Sequence, residues 1–141
     1  MQKIHQIAIV AGSFHRKHVE TMMESAVTTA KEHNIVVREQ VWVSGSMEKP
    51  LALKSLLQKP TISGAIALGI IENGQTAHGR VMAEAVFKTI LDLQLEMMKP
   101  IGVGILGPEI GPDKIQERLV PYARAAVLAV HAMLVNPNNG G

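Results

Sequence analysis

The sequence predicts an open α/β fold, in which a four-stranded parallel sheet carries helices on both faces. Short apolar segments alternate four times with longer segments of helical periodicity, as expected when right-handed crossovers join parallel strands. The third strand segment, Gly64 to Ile71, is apolar almost throughout, which is typical of a central strand covered on both sides. The chain has 141 residues, 47% of them hydrophobic, and this is the size and apolar content of one domain.

The first half of the chain supplies two predicted strands and two predicted helices. Ile4 to Val10 is a short apolar run before a Gly-Ser turn, the pattern of a buried strand. Lys17 to His33 repeats apolar residues at helical spacing. Ile35 to Val43 alternates apolar and polar residues and is rich in β-branched side chains, which predicts a strand. A short helix is expected from Pro50 to about Leu57, since proline suits a first helical turn.

The second half continues the alternation. Thr61 to Ile71 is the third predicted strand, and Thr76 to Met98 forms a helix that ends before a Lys-Pro pair. Ile101 to Leu106 is the last strand, and Pro112 begins a final helix to about Val135. This order predicts flavodoxin-like layering, with one domain over residues 1–135 and a frayed tail over residues 136–141.

Composition excludes several classes of function. The formal net charge is only +2, with 14 Lys and Arg scattered among 12 acids, so no basic stripe for nucleic acid is expected. No apolar run approaches the roughly 20 residues of a membrane helix, and Met1 to His5 lacks a secretory layout, so we expect a cytoplasmic protein without a membrane partner. The chain has no cysteine, which removes disulfides, thiolate metal sites and thiol nucleophiles.

The candidate ligand residues follow the strands, because parallel sheets bind ligands at the carboxyl ends of their strands. His78 is the strongest candidate, since it lies in the first turn of a helix, where an imidazole and backbone N–H groups serve proton transfer and anion binding. A solvent-exposed histidine is the alternative. His15 and His18 are spaced as a metal pair, but no third ligand stands nearby, so two surface histidines are favoured and no metal is expected.

Three further side chains have both a functional and a structural interpretation. Phe14 follows a strand and a tight turn, where it either stacks on a ligand or packs against the first helix. Glu48 follows the second strand, where it either accepts hydrogen bonds from a polyol or stabilises a helix N-terminus. Arg118, early in the last helix, either binds a phosphate or forms a surface salt bridge.

Motifs of the common nucleotide-binding and hydrolase classes are missing. No G-x-G-x-x-G follows the first strand, no GxxxxGK[ST] occurs, and the serines lack a G-x-S-x-G elbow. Dinucleotide-dependent oxidoreductases, P-loop enzymes and serine hydrolases are therefore excluded.

Four motifs, in order, resemble the 6,7-dimethyl-8-ribityllumazine synthase family over nearly the whole chain. Ile9 to Phe14 resembles the family's first strand and the aromatic residue that stacks on the pyrimidine. Val43 to Ala52 resembles its ribityl-binding turn, which ends Glu-x-Pro-x-Ala. Gly69 to His78 is similar to the family's Gly-x-x-x-x-Gly-x-Thr-x-His, the most specific of the four. Gln116 to Arg118 resembles the segment whose arginine meets the substrate phosphate from a neighbouring subunit.

The resemblance implies a site without metal or cofactor. His78 would transfer protons and Arg118 would bind the phosphate, as the two catalytic residues. Glu48 would accept hydrogen bonds from the ribityl hydroxyls, while Gln75 and Thr76 would bind the phosphate through amides at the helix N-terminus. The implied substrate-binding residues are Phe14, Ser46, Met47, Glu48, Ile70, Ile71, Glu72, Gln75, Thr76 and Val103.

The implied reaction condenses 5-amino-6-ribitylamino-pyrimidinedione with 3,4-dihydroxy-2-butanone 4-phosphate, releasing phosphate and water in riboflavin biosynthesis. Such a transferase moves protons at every step and needs neither redox chemistry nor a covalent link to the enzyme. An arginine supplied by a neighbour implies a homo-oligomer, and the family forms pentamers or multiples of them. We expect small-molecule substrates as the other partners.

Some positions depart from the family's pattern and keep alternatives open. His15 stands where Asn is common, Asn73 where many members have a basic residue, and the family's extra N-terminal strand is expected to be absent. The segment 107–112 resembles archaeal members. A catalytically weakened shell-forming or ligand-binding relative therefore remains an alternative, as does an archaeal-type riboflavin synthase paralogue, although that reaction has no phosphate substrate to explain both His78 and Arg118. A flavodoxin-like regulatory domain would need an acidic cluster after the first strand, and none is present.

Overall fold

The computed structural model describes residues 3–72, 77–108 and 110–136. Strands and helices alternate along these residues as the sequence predicts, with one 3-10 turn, Ser46–Glu48, before the second helix. The elements are β1 (His5–Gly12), α1 (Arg16–Glu32), β2 (Ile35–Val43), α2 (Lys49–Leu57), β3 (Gly64–Ile70), α3 (His78–Met97), β4 (Ile101–Leu106) and α4 (Pro112–Val135).

The four strands form one parallel sheet in the order β2-β1-β3-β4. All seven residues of β3 are buried, which confirms its prediction as a central strand. β1, the other central strand, sends Ile7 and Ile9 to one face and Ala8 and Val10 to the other. The predicted fold class, an open α/β sheet with helices on both faces, is confirmed.

Two apolar layers cover the sheet. On one face, α1 and α4 pack against each other and against the strands through side chains such as Met22 and Leu119. On the other face, α2 and α3 do the same through Leu53 and Ile90. Each of these four side chains is 0% exposed. Their burial removes a large apolar area from water and is the main stabilising contribution to the fold.

Element boundaries differ from the sequence prediction by one to three residues in several places. β1 extends to Gly12, and α1 begins at Arg16 because His15 adopts a left-handed backbone (φ 57°) immediately before it. α3 begins at His78 rather than Thr76, which lies outside the described residues. Residues 137–141, most of the expected tail, also lie outside them.

Helix α4 spans Pro112–Val135, as the sequence predicts, but it is more apolar than expected. By length and composition alone α4 is long and apolar enough to cross a membrane, although no such run was expected from the sequence. Its buried residues, including Ile115, Ala123 and Val130, face α1 and the sheet. The core helix of a soluble domain can have the same length and composition, but only 28% of this window of α4 is buried within the described residues.

Candidate active site

A cavity of about 370 Å³ opens at the carboxyl ends of the strands. Its walls come from the turns that follow β1 and β2, from the end of β3 and from the first turns of α3. Parallel sheets place these four segments at one edge, which is why residues far apart in the chain meet here. The lining residues are Phe14, Ser44 to Glu48, Ile70 to Glu72, His78, Gly79 and Met82.

The turn between β2 and α2 forms one wall and is ordered by its own hydrogen bonds. Ser44 Oγ donates to Glu48 Oε1 at 2.8 Å, and the Glu48 amide donates to the Gly45 carbonyl at 3.4 Å. Ser46 is buried, whereas Met47 is 65% exposed. The turn therefore presents a carboxylate and a hydroxyl to the cavity in fixed positions, and leaves a flexible apolar side chain at its mouth.

The turn after β1 carries an aromatic ring and a histidine. Phe14 is 52% exposed, and its ring meets the edge of the His15 ring with 4.4 Å between centroids. His15 Nε2 lies 2.9 Å from Glu72 Oε1, although the two atoms are not aligned as a hydrogen bond. The next residue, Arg16, stacks its guanidinium 3.8 Å from the centre of the Trp42 ring. This rim joins β1, β2 and β3 through charged and aromatic contacts.

His78 is the first residue of α3, and its exposed side chain lines the cavity. The first backbone N–H groups of a helix lack intrahelical partners and carry partial positive charge, so this end of α3 favours an anion. Gln75 and Thr76, expected to hold the phosphate, lie outside the described residues, as does Asn73.

A lysine that the sequence analysis did not single out lies beneath the cavity. Lys49, the first residue of α2, is 1% exposed, and its Nζ donates to Ser46 Oγ at 3.1 Å. Burial lowers the pKa of Lys49 from its ordinary value to about 8, and the nearby Glu48 carboxylate opposes this shift. A helical-spacing test would have detected it, because Lys49 continues the buried stripe of α2 formed by Leu53, Leu56 and Leu57.

Arg118 lines a second cavity, of about 450 Å³, on the other side of the start of α3. Arg80 and Phe87 of α3, Pro108 of the loop after β4 and Tyr122 of α4 share this cavity. His78 and Arg118 thus lie on different walls of the same protomer, and the first cavity contains no residue of α4. Val103 lines neither cavity: it is partly buried against the apolar layer under α2 and α3.

The structure therefore brings together most of the residues predicted to bind substrate. Those that meet in one cavity are Phe14, Ser46, Met47, Glu48, Ile70, Ile71, Glu72 and His78. The contact between His15 and Glu72 was missed, and its signal was the position of both residues just after neighbouring parallel strands. No group of three or more potential metal ligands occurs among the described residues.

The fold and the cavity define an open parallel α/β domain with a candidate small-molecule site at the strand ends. A family model described as 6,7-dimethyl-8-ribityllumazine synthase matches residues 5–137. The chain belongs to the 6,7-dimethyl-8-ribityllumazine synthase family, which confirms the resemblance carried by the four motifs.

Curated relatives with the same name align with this chain over most of their length. The protein from Methanopyrus kandleri is 38% identical over 129 residues, which cover 92% of this chain and 91% of the relative. That from Metallosphaera sedula is 35% identical over 122 residues, covering 86% and 81%. That from Saccharolobus islandicus strain L.S.2.15 is 33% identical over 128 residues, covering 91% and 83%. These relatives are transferases of riboflavin biosynthesis.

Proposed function

We propose that this chain is an active lumazine synthase, which condenses 5-amino-6-ribitylamino-pyrimidinedione with 3,4-dihydroxy-2-butanone 4-phosphate. The observation that carries the proposal is the meeting of Phe14, Glu48 and His78 in one cavity at the strand ends. An aromatic face, a polyol acceptor and a titratable imidazole are the groups that this pair of substrates requires.

Each residue has a role that follows from its chemistry. Phe14 offers its half-exposed ring to the pyrimidine, and Glu48 accepts hydrogen bonds from ribityl hydroxyls. The amine attacks the ketone to give an imine and water, phosphate leaves by elimination, and the product enol tautomerises before ring closure releases the second water. His78, at the cavity wall, moves protons in these steps.

Most of the acceleration in this proposal comes from orientation. Holding both substrates in one cavity is worth about 7 kcal/mol or more in favourable cases, whereas a general acid and base adds about 10²-fold. His78→Ala should therefore lower the turnover rate about 10²-fold and leave activity above the spontaneous background. The matched control is His131→Ala. His131 lies on α4, outside the cavity, with its ring centroid 4.7 Å from that of His33.

The phosphate site combines the N-terminus of α3 with an arginine from a second copy of the chain. Arg118 supports this because it lines a different cavity from His78 within one protomer, so in this proposal Arg118 reaches the first cavity from a neighbouring copy. The proposed assembly is a ring of the pentameric kind or a multiple of it, working in the cytoplasm.

The first test is direct formation of lumazine, followed by its absorbance and fluorescence with both substrates present. We expect product above the spontaneous background, and a large loss when Arg118 is changed to Ser. Arg124→Ser is the control, because Arg124 lies on the same helix but pairs with Glu32 at 2.9 Å. Folded, assembled protein that gives no product above background would refute the synthase activity and leave a binding or shell-forming relative.

The second test separates a shared site from a site within one chain. His78→Ala and Arg118→Ser copies are coexpressed and assembled together. If each site takes His78 from one copy and Arg118 from the next, random mixing restores roughly a quarter of the sites in a closed ring. Mixed assemblies as slow as the two single variants would contradict the shared site.

A further inference from the structure

Lys49 has a position that the roles assigned so far leave unexplained. Its backbone begins α2 at the edge of the cavity, yet its side chain runs inward and is 1% exposed. Lysine is almost never fully buried without a partner, because taking an ammonium out of water is costly. Among residues 3–72, 77–108 and 110–136, the polar contact of Nζ is the hydroxyl of Ser46, at 3.1 Å, and no carboxylate lies within ion-pair distance.

Two glycines make room for the amine. A Cβ placed on Gly12 would lie 2.9 Å from Lys49 Nζ, and one placed on Gly69 would lie 2.5 Å from it, both too close for ordinary contact. Gly12 follows Ala11 of β1, and Gly69 follows Leu68 of β3. Ala11 and Leu68 are paired across the two central strands. The amine therefore occupies a slot at the carboxyl end of β1 and β3, directly under the cavity wall that Ser46 forms.

We infer that Lys49 is a positioning residue of the active site, which holds the Ser46 hydroxyl so that its hydrogen is donated to the polyol chain of the ribitylamino-pyrimidine. The inference rests on the proposed function and adds a residue to its ribityl subsite.

The direction of the hydrogen bonds supports this role. An ammonium has three donors and no acceptor, so Ser46 Oγ accepts from Lys49 and keeps its own hydrogen for a ligand. On the same turn, the Glu48 carboxylate accepts from Ser44 and retains further acceptor capacity. A sugar alcohol needs both an acceptor and a donor, and Glu48 and Ser46 supply one of each. The charge of Lys49 strengthens the donation by polarising the Ser46 hydroxyl.

The test measures binding without turnover. Calorimetry with the ribitylamino-pyrimidine alone is compared with the same ring carrying a methyl group in place of the ribityl chain, for the wild type, Lys49→Met and Lys54→Met. Methionine keeps the length of lysine and removes its charge. Lys54 is the control because it lies on the same helix, half exposed, with Glu96 as its partner at 3.0 Å.

We expect Lys49→Met to weaken binding of the ribityl ligand roughly tenfold, as for loss of one charge-assisted hydrogen bond, and to leave the methyl ligand unchanged. In turnover assays the KM for the ribityl substrate should rise while kcat changes little. Ser46→Ala should cause a similar loss, and the double variant should lose no more than either single one, because Lys49 acts through Ser46.

The outcomes separate this inference from the proposed function. Additive losses in the double variant, or equal weakening of both ligands, would overturn the positioning role while lumazine formation by the wild type stands. Wild type that binds the ribityl ligand but makes no lumazine would refute the synthase activity and leave the Lys49 subsite standing. If Lys49→Met fails to fold, as judged by circular dichroism, unchanged discrimination between the two ligands in Ser46→Ala alone overturns the inference.

Discussion

The two faces of the sheet bury different chemistry. Under α1 and α4 the buried polar residue within the described part of the chain is Thr29, whose hydroxyl donates to the Ser25 carbonyl one helical turn earlier at 2.8 Å. Under α2 and α3 the buried polar residues are Ser46 and Lys49, which bond to each other at the cavity. The Thr29 hydroxyl donates within its own helix and also accepts from Arg124 of α4 at 3.5 Å, whereas the second pair places a charge where packing alone would favour an apolar side chain. Among the described residues, only the second face buries a charged side chain, and it does so beside the candidate site.

The largest expected effect is the loss of stability when one buried leucine is truncated on either face, and it tests whether the two apolar layers stabilise the fold equally. Leu119→Ala under α1 and α4 and Leu53→Ala under α2 and α3 each remove a fully buried side chain. Both should lower the free energy of unfolding by about 3 kcal/mol, the transfer and cavity cost of such a truncation. Urea denaturation measures both values. A loss near zero at Leu53 alone would mean that the α2 and α3 layer is loosely packed.

Lys49→Met should raise the free energy of unfolding, whereas the leucine truncations lower it. Replacing a buried charge by an apolar side chain of similar length removes the desolvation cost, so we expect the free energy of unfolding at pH 7 to rise by about 2 kcal/mol. Lys54→Met, on the same helix but half exposed, should change it by less than about 0.5 kcal/mol. Destabilisation by Lys49→Met would show that the ammonium is needed for the fold and would end the contrast between the faces.

The pH dependence of stability sharpens the same contrast. The pKa of Lys49 is lowered to about 8 in the folded chain, against an ordinary value of 10.5. Below pH 8 both states carry the proton and the full cost of burial is present. Between pH 8 and 10.5 the unfolded chain binds more protons, so the wild type gains stability as the pH rises.

The stability gap between the wild type and Lys49→Met should therefore narrow over that range. Denaturation curves for the two proteins at pH 7, 9 and 10.5, taken side by side, cancel the titration of every other group. A gap that stays constant from pH 7 to 10.5 would mean that Lys49 keeps an ordinary pKa in the folded state.

The smallest expected change in stability is on the face covered by α1 and α4. Thr29→Val keeps the volume of the side chain and removes the hydroxyl that Ser25 accepts from, so it should cost about 1 kcal/mol. Lumazine formation should be unchanged when measured below the melting temperature. A loss of activity without a loss of stability would place a functional group on the face that we describe as structural.

Much of the fold was predictable from the sequence because its signals are local. The apolar run in β3 and the helical spacing in α1 each reflect burial within one element, and both were predicted within a few residues. The approach of Phe14, Glu48 and His78 was also predictable, because parallel strands bring their carboxyl ends to one edge.

Other parts of the site depend on distances that no local pattern encodes. The separation of Arg118 from His78 follows from how α4 packs across α1, a contact between distant segments. The spacing of Lys49 on the buried stripe of α2 is a local signal, but it was missed because a charged residue at the start of a helix is usually solvated. The space that Gly12 and Gly69 leave for its amine is evident only once β1 and β3 lie side by side.

The stacking of Arg16 on Trp42 gives the protein an optical reporter of its own. Trp42 is the single tryptophan of the chain, and its partner Arg16 directly follows His15 at the rim of the cavity. Indole emission responds to charges close to the ring, so a ligand that shifts the rim changes the fluorescence of one known side chain. Occupancy of the cavity is then measurable in unlabelled protein, by a signal that arises from β2 alone.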